Sequence, residues 1–339
     1  MSYEFCEKLP KVELHAHLNG SLSVSTIGKL VRLHKQSFPD EDVPPAADIF
    51  KDPSNFDDGY AIFKCAQALV DHPEAVKLAA KNVLKEFAED NVIYVELRST
   101  PRNVEGKMTK VEYVQAIIDA IQEEKDTKAS LLVSIDRRKS LAEAKENLNV
   151  AKDFHEKYPE IVVGIDLSGD ARVNDLQDYY QFLEEAQKNG LKVSLHFGEE
   201  NNETEIKFVL DHPKFKPERL GHCTYAFPNF AEKFEAFGIP SELCLTSNVK
   251  CGSVTSYGDH HVKEMFQKGL PFCICTDDKG VFSCSSTDEH LKAMEILKLN
   301  QDQMFDLSFK SINYIFANEC KKDELRSKMI ELKLNFQKI

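Results

Sequence analysis

His15 and His17 stand two residues apart in Val12-Glu13-Leu14-His15-Ala16-His17-Leu18, an apolar run that breaks at Asn19-Gly20-Ser21. Side chains of an extended strand alternate faces, so both imidazoles point the same way and can hold one metal ion. Two hydrogen-bonded core histidines would give the same pattern, and the spacing alone does not choose. Their company bears on the choice. His196 and Asp277 end other apolar runs, and three imidazoles with one carboxylate form a hard N/O donor set suited to a catalytic zinc or similar divalent ion. Singly, His196 reads as a satisfied core histidine and Asp277 as an ion-pair partner; jointly, at the ends of strands one, five and eight, the metal reading prevails. No cysteine is expected beside them at a strand end, so a thiolate site is not expected.

Three further groups could move protons. In His196-Phe197-Gly198-Glu199, Gly198 lets the chain leave its strand so that Glu199 swings over the mouth. A partly desolvated glutamate there is a natural proton donor, although it could equally cap a helix over 199–211. His222 has no second histidine in its strand and could orient a water rather than ligate. Asp278 beside Asp277 puts two acids on opposite faces, one for a metal and one for water or a heterocycle nitrogen.

These residues need a frame that brings them to one place. Short β-branched runs recur at 12–19, 92–100, 131–137, 162–169, 192–199, 218–224, 241–248 and 271–278. Helical spacing fills the intervals at 74–90, 110–126, 142–158, 175–189 and 262–268. Eight strands alternating with helices predict a parallel (β/α)8 TIM barrel in the α/β class. An open doubly wound sheet is the competing topology, but Gly20 alone is no phosphate-binding fingerprint. Residues 19–92 are too long for one crossover and read as an insertion after strand one. It carries helices at 23–35 and 56–70 and a Pro- and Asp-rich stretch at 39–53. Residues 288–339 read as two or three closing helices, and 1–339 as one domain. The apolar runs all end in groups a core rejects, and in a parallel barrel such ends share one mouth, where barrel enzymes work.

With 339 residues, 42% hydrophobic and 29% charged, the chain reads as an ordinary globular protein with one large core. A net charge of −13 argues against nonspecific nucleic-acid binding, which needs a broad basic surface. No run is long and apolar enough for a membrane helix, and Met1 to Pro10 has no leader-like apolar segment. Nine cysteines without a CxxC pair predict reduced thiols in the cytosol. Arg102, Arg137, Arg138, Lys250 and Lys279 fall near strand ends, where a small phosphorylated substrate could be anchored, or where they could simply pair with Glu96, Asp136 and Asp278.

Six ordered blocks carry a family resemblance: LHAHLNGS at 14–21, GIDLSGD at 164–170, HFGEE at 196–200, RLGH at 219–222, LTSN at 245–248 and TDD at 276–278. The chain resembles the adenosine/AMP deaminase group of the amidohydrolase superfamily over nearly its whole length. ELRSTPR at 96–102, IDRR at 135–138, SNVK at 247–250 and TDDKGVF at 276–282 are similar to the branch that acts on N6-methyl-AMP. The resemblance implies one Zn2+ per chain on His15, His17, His196 and Asp277. It implies Glu199 as proton donor to the purine N1, His222 to orient and help deprotonate the attacking water, and Asp278 to hydrogen-bond purine and water. Contacts to the nucleotide would come from His17, Asn19, Ser99, Thr100, Pro101, Arg102, Asp136, Gly169 and Asp278. The implied reaction is hydrolytic deamination of a 6-aminopurine nucleotide by a cytosolic monomer. The alternatives are deamination of the nucleoside adenosine, a non-catalytic purine- or metal-binding protein, and an amide- or lactone-opening hydrolase. The H-x-E and P-C-x-x-C signature of the other zinc deaminases is absent. Two departures stand out: Cys223 where relatives carry glycine, and Phe197 where a small residue is common, which would reshape the pocket.

Overall fold

The computed structural model describes residues 2–42 and 56–336. Its frame is an eight-stranded parallel sheet in strict chain order. The strands are β1 (Lys11–His17), β2 (Val92–Ser99), β3 (Lys128–Asp136), β4 (Val162–Ser168), β5 (Lys192–Phe197), β6 (Arg219–His222), β7 (Ser241–Leu243) and β8 (Phe272–Ile274). The wall closes where Asp277, just beyond β8, pairs with Ala16. Its N–H donates to the His15 carbonyl at 2.8 Å, and its own carbonyl accepts from the His17 N–H at 3.2 Å. This is the (β/α)8 barrel the alternation predicts.

The helices between strands bury one apolar stripe each. Pro73–Glu89 turns Val76, Ala80, Val83, Leu84 and Phe87 inward at helical spacing. Each of the larger side chains contributes about 1.5–3 kcal/mol by leaving water. Thr109 and Glu112 form a capping box at the start of Lys110–Glu123, as Ser285 and Asp288 do for Ser286–Leu297. The insertion after β1 supplies helices Val24–Ser37 and Phe56–Leu69. Most of the 39–53 stretch lies outside the described residues. The closing segment forms three helices, Ser286–Leu297, Gln301–Ser311 and Glu319–Phe336.

Inside the wall the fold departs from a purely apolar barrel core. Arg98, Arg219, Glu96, Asp166 and Glu242 are fully buried there. Arg98 bridges Asp166 at 2.9 Å and Glu242 at 2.8 Å, and Arg219 bridges Glu242 and Glu96. The Phe316 ring covers the Arg219 guanidinium at 3.5 Å, and the Phe316 N–H donates to Glu96 at 2.6 Å. Every charge has an opposite partner, which is what makes burial of this layer tolerable.

Two expectations need correction. The run 241–248 is not one strand: β7 stops at Leu243 and Leu245–Lys250 is a short helix. Its first turn is held by buried Glu289, which accepts from the Thr246 N–H at 3.0 Å and from the Thr246 hydroxyl. Phe197 does not shape the pocket. Strand alternation turns it away from His196 into the core, with its ring 6.2 Å from that of Phe234.

Candidate active site

His15 and His17 on β1, His196 on β5 and Asp277 beyond β8 meet at the C-terminal mouth of the barrel. One ligand atom from each lies within 4.8 Å of the others. The two Nε2 atoms of His17 and His196 approach to 3.0 Å, and Asp277 Oδ1 stands 3.4 Å from His17 Nε2 and 3.5 Å from His15 Nε2. The aim of these rings is set by the buried charge layer beneath. His15 Nδ1 meets Glu242 at 2.6 Å, and His196 Nδ1 meets Asp166 at 2.9 Å. A carboxylate only accepts, so each Nδ1 carries the proton and each Nε2 presents a lone pair.

The residues fit a divalent cation. His15 Nε2 is buried with no hydrogen-bond partner, a costly position for a polar atom unless something fills the shared space. Burial holds His17 at a pKa of about 3, in the neutral form that ligates. Burial and Arg98 push His15 down, but Asp277 and Glu242 outweigh them and hold it at about 9, so a proton and a cation compete for its Nε2. A second group, His222, Cys244 and Asp277, also converges, and Cys244 does follow a strand end, against expectation. Burial keeps its thiol well above the usual range, and a neutral thiol is a poor ligand.

Around this cluster lie the groups expected to move protons. Gly198 adopts φ 64°, the left-handed turn that releases Glu199 from the strand line. Glu199 Oε2 then stands 3.7 Å from His222 Nε2. Burial raises the Glu199 carboxyl to about 7; His196 opposes the rise and Asp277 adds to it. Asp277 and Asp278 split. Against its own burial, Asp277 is held well below the usual carboxylate range by His15, His222 and His17, and it accepts from the Ser247 hydroxyl at 2.6 Å. Asp278 is pushed well above that range by burial and by Asp277, and its Oδ1 has no partner. One acid is held ionised and its neighbour protonated. His222, Cys223 and Asp277 all take φ 61°, a conformation that suits glycine and is uncommon for other residues. Cys223 thus holds a backbone conformation that a glycine would adopt without strain.

The cavity above the cluster is lined by His17, His196, Glu199, His222, Asp277 and Asp278, and by Thr100, Asp136 and Gly169. Other expected contacts sit elsewhere. Asn19 and Ser99 are buried on the Tyr113 hydroxyl, at 3.3 and 2.7 Å. Pro101 does not line the cavity, and neither does Arg102, whose guanidinium ties the Gln67 and Val70 carbonyls at the end of Phe56–Leu69. Arg137 pairs with Glu205 and Lys279 with Glu86, while Lys250 donates to the Phe282 carbonyl. Among the described residues, Arg138 is the one of these five cations that lines the cavity, paired with Asp136 at 2.6 Å. Sequence reasoning missed Arg172, which also lines it, along with Phe63 and Gln67 from the insertion, Tyr225, Cys251 and Phe282. Glu200, the second E of HFGEE, also faces the cavity.

The chain is similar to known proteins over nearly its whole length. The adenosine deaminase family model matches residues 10–332. The N6-methyl-AMP deaminase of Homo sapiens is 40% identical over 343 residues, covering 97% of this chain and 95% of that protein. The N6-methyl-AMP deaminase of Bos taurus is 39% identical over 346 residues, covering 98% and 97%. The structure of the ADAL–IMP complex superposes with a TM-score of 0.89 at 33% identity, covering 97% of this chain and 98% of that one.

Proposed function

The chain belongs to the adenosine deaminase family, and we propose that it hydrolyses N6-methyl-AMP to IMP and methylamine. It is a hydrolytic deaminase by family. The observation that carries the reading is the convergence of His15, His17, His196 and Asp277 beneath a cavity walled by Glu199, His222 and Asp278. Those first four residues would hold one zinc ion. A zinc ion there would lower the pKa of bound water from ~15.7 towards ~7 and supply a nucleophile at neutral pH.

The chain's own groups do the rest. Glu199, poised near neutrality, delivers a proton to the purine N1, so the C6=N1 electrons have a destination as the water oxygen adds to C6. Asp278, protonated and unpartnered, offers a hydrogen bond to purine and water. His222 faces the same space and orients the attacking water. Of the two protons of the water, one restores the Glu199 carboxyl after its transfer to N1 and the other leaves on the amine as the C6–N bond breaks, and the new oxygen stays as the carbonyl. Asp136 and Gly169 on the cavity wall are placed to contact the sugar side of the substrate.

Arg138 and Arg172 at the mouth support a nucleotide over a nucleoside, since a guanidinium grips phosphate bidentately. Arg138 already pairs with Asp136, which favours the second reading, deamination of uncharged adenosine. We read residues 1–339 as one domain acting as a cytosolic monomer. Support comes from the contiguous core cluster and the free thiols of all nine cysteines. Among the described residues, no helix is long and apolar enough to cross a membrane.

The test is the ultraviolet change at the purine on adding N6-methyl-AMP, AMP or adenosine, with and without a chelator. Turnover is expected to be fastest on N6-methyl-AMP and to stop with chelation. Preference for adenosine would establish the second reading, and no change on any purine would overturn both.

A further inference from the structure

The protonation of His222 can be read from its neighbours, starting at a group that cannot be mistaken. The Val262 main-chain N–H donates to His260 Nδ1 at 3.1 Å. His260 is buried, and burial with the neighbouring His261 pushes its pKa down to about 2, so the ring is neutral and its one proton sits on Nε2. That Nε2 lies 3.1 Å from Asn248 Oδ1 and donates to it. The Asn248 amide nitrogen is thereby turned towards His222 Nδ1, at 3.0 Å. An amide nitrogen only donates, so His222 Nδ1 accepts and the ring proton of His222 is on Nε2, the atom facing Glu199 and Asp277.

The reverse arrangement fails. Flipping Asn248 would set its NH2 against His260 Nε2 while the Val262 N–H faces His260 Nδ1. Both ring nitrogens would then have to accept, which only a buried imidazolate could do. The backbone at His222 is fixed by the next residue along: His261 Nε2 donates to the His222 carbonyl at 2.9 Å, and the His260 and His261 rings stack with centroids 4.4 Å apart. One histidine of the pair sets the tautomer of His222 and the other sets its main chain.

We propose that His260 is a positioning residue which, through Asn248, locks His222 as a neutral imidazole that presents an Nε2–H donor to the reacting atoms. His222 is then not a metal ligand, because its Nε2 lone pair is occupied by the proton. The contrast with His15 and His196, whose Nδ1 atoms face carboxylates, separates the converging histidines into ligands and donor. Nor does His222 take the proton of the attacking water at Nε2; it holds the oxygen by donating to it. Only the kinetic consequence rests on the deaminase reading.

Two measurements on the metal-loaded protein test this. Long-range proton–nitrogen NMR on 15N-histidine protein, with His222→Gln to assign the ring, is expected to show the Nε2–H tautomer near neutral pH. His260→Leu frees Asn248 and is expected to mix the tautomers and lower kcat about 10–100-fold with KM unchanged. His260→Gln, whose amide can still donate to Asn248, is expected to restore both. Asn248→Asp supplies an acceptor and is expected to invert the tautomer, a second route should His260→Leu fail to fold. An Nδ1–H or doubly protonated His222 in the wild type would overturn the proposal, as would His260→Leu leaving tautomer and kcat unchanged. The NMR result needs no substrate, so it stands apart from any failure of the deaminase reading.

Discussion

Replacing Glu199 by glutamine removes a transferable proton and leaves shape and polarity nearly intact. Burial raises this carboxyl to about 7, so roughly half the molecules carry the proton at pH 7, about a tenth at pH 8 and about a hundredth at pH 9. The competent form is the protonated one, and therefore the activity of the free enzyme is lost as pH rises. A fall in kcat/KM of about tenfold per pH unit is expected on the basic side of neutrality. Glutamine can donate a hydrogen bond to the purine N1 but cannot hand over a proton. The expected loss in kcat is about 10²–10⁴-fold, or about 3–5 kcal/mol of barrier. Glu199 is outside the converging ligand set, so bound zinc, measured by elemental mass spectrometry, should be unchanged. The assay follows the purine absorbance with N6-methyl-AMP across the pH range for both proteins. Glu199→Gln should be slow and should lack the wild-type basic limb. A variant within tenfold of wild type, one that keeps the limb, or one that loses zinc would refute the assignment of the proton donor.

Asp166→Asn removes the charge that holds His196 Nδ1, and zinc affinity in a chelator competition should weaken about 10–100-fold. Gly20 packs so tightly that a Cβ there would overlap Asp278 Oδ1, so Gly20→Ala should displace that carboxyl. It should lower kcat about 100-fold with zinc content unchanged. Arg138→Ala should raise KM for a 5′-monophosphate about 10–100-fold while sparing any turnover of the nucleoside, and equal losses on both would exclude phosphate anchoring. Arg98→Met leaves Asp166 and Glu242 buried without their shared cation, and chemical denaturation should show about 3–5 kcal/mol of lost stability.

Local periodicity accounts for the parts of the molecule that were legible in the sequence. Two histidines at strand spacing must share a face, and eight strand–helix alternations leave few topologies besides a barrel. The unread part depends on partners far along the chain. Glu242 sits in the three-residue strand Ser-Glu-Leu, where an acid resembles a solvent-facing residue; its partners Arg98 and His15 are 144 and 227 positions away. The helix at Leu245–Lys250 was hidden for the same reason, since Glu289 holds its first turn. Arg102 belonged to a suggestive motif, but its direction is decided by main-chain carbonyls that sequence does not display. Arg172, Tyr225, Cys251 and Phe282 sit in turns beyond the strands, where no periodic signal exists, while Phe63 and Gln67 lie on a helix whose periodicity does not say that one side would face the cavity.

The barrel wall is shut by Asp277, whose main chain stitches the end of β8 to His15 and His17. The three residues whose backbone seals the seam, His15, His17 and Asp277, also supply three of the four side chains that converge at the mouth. During synthesis β1 emerges first and its second neighbour arrives roughly 260 residues later, so until then the sheet is a crescent with an unpaired edge. Closure of the wall and completion of the four-residue cluster are one event. A nascent or truncated product lacking residue 277 is an open sheet with a sticky margin, and its three converging histidines lack the carboxylate that completes the cluster.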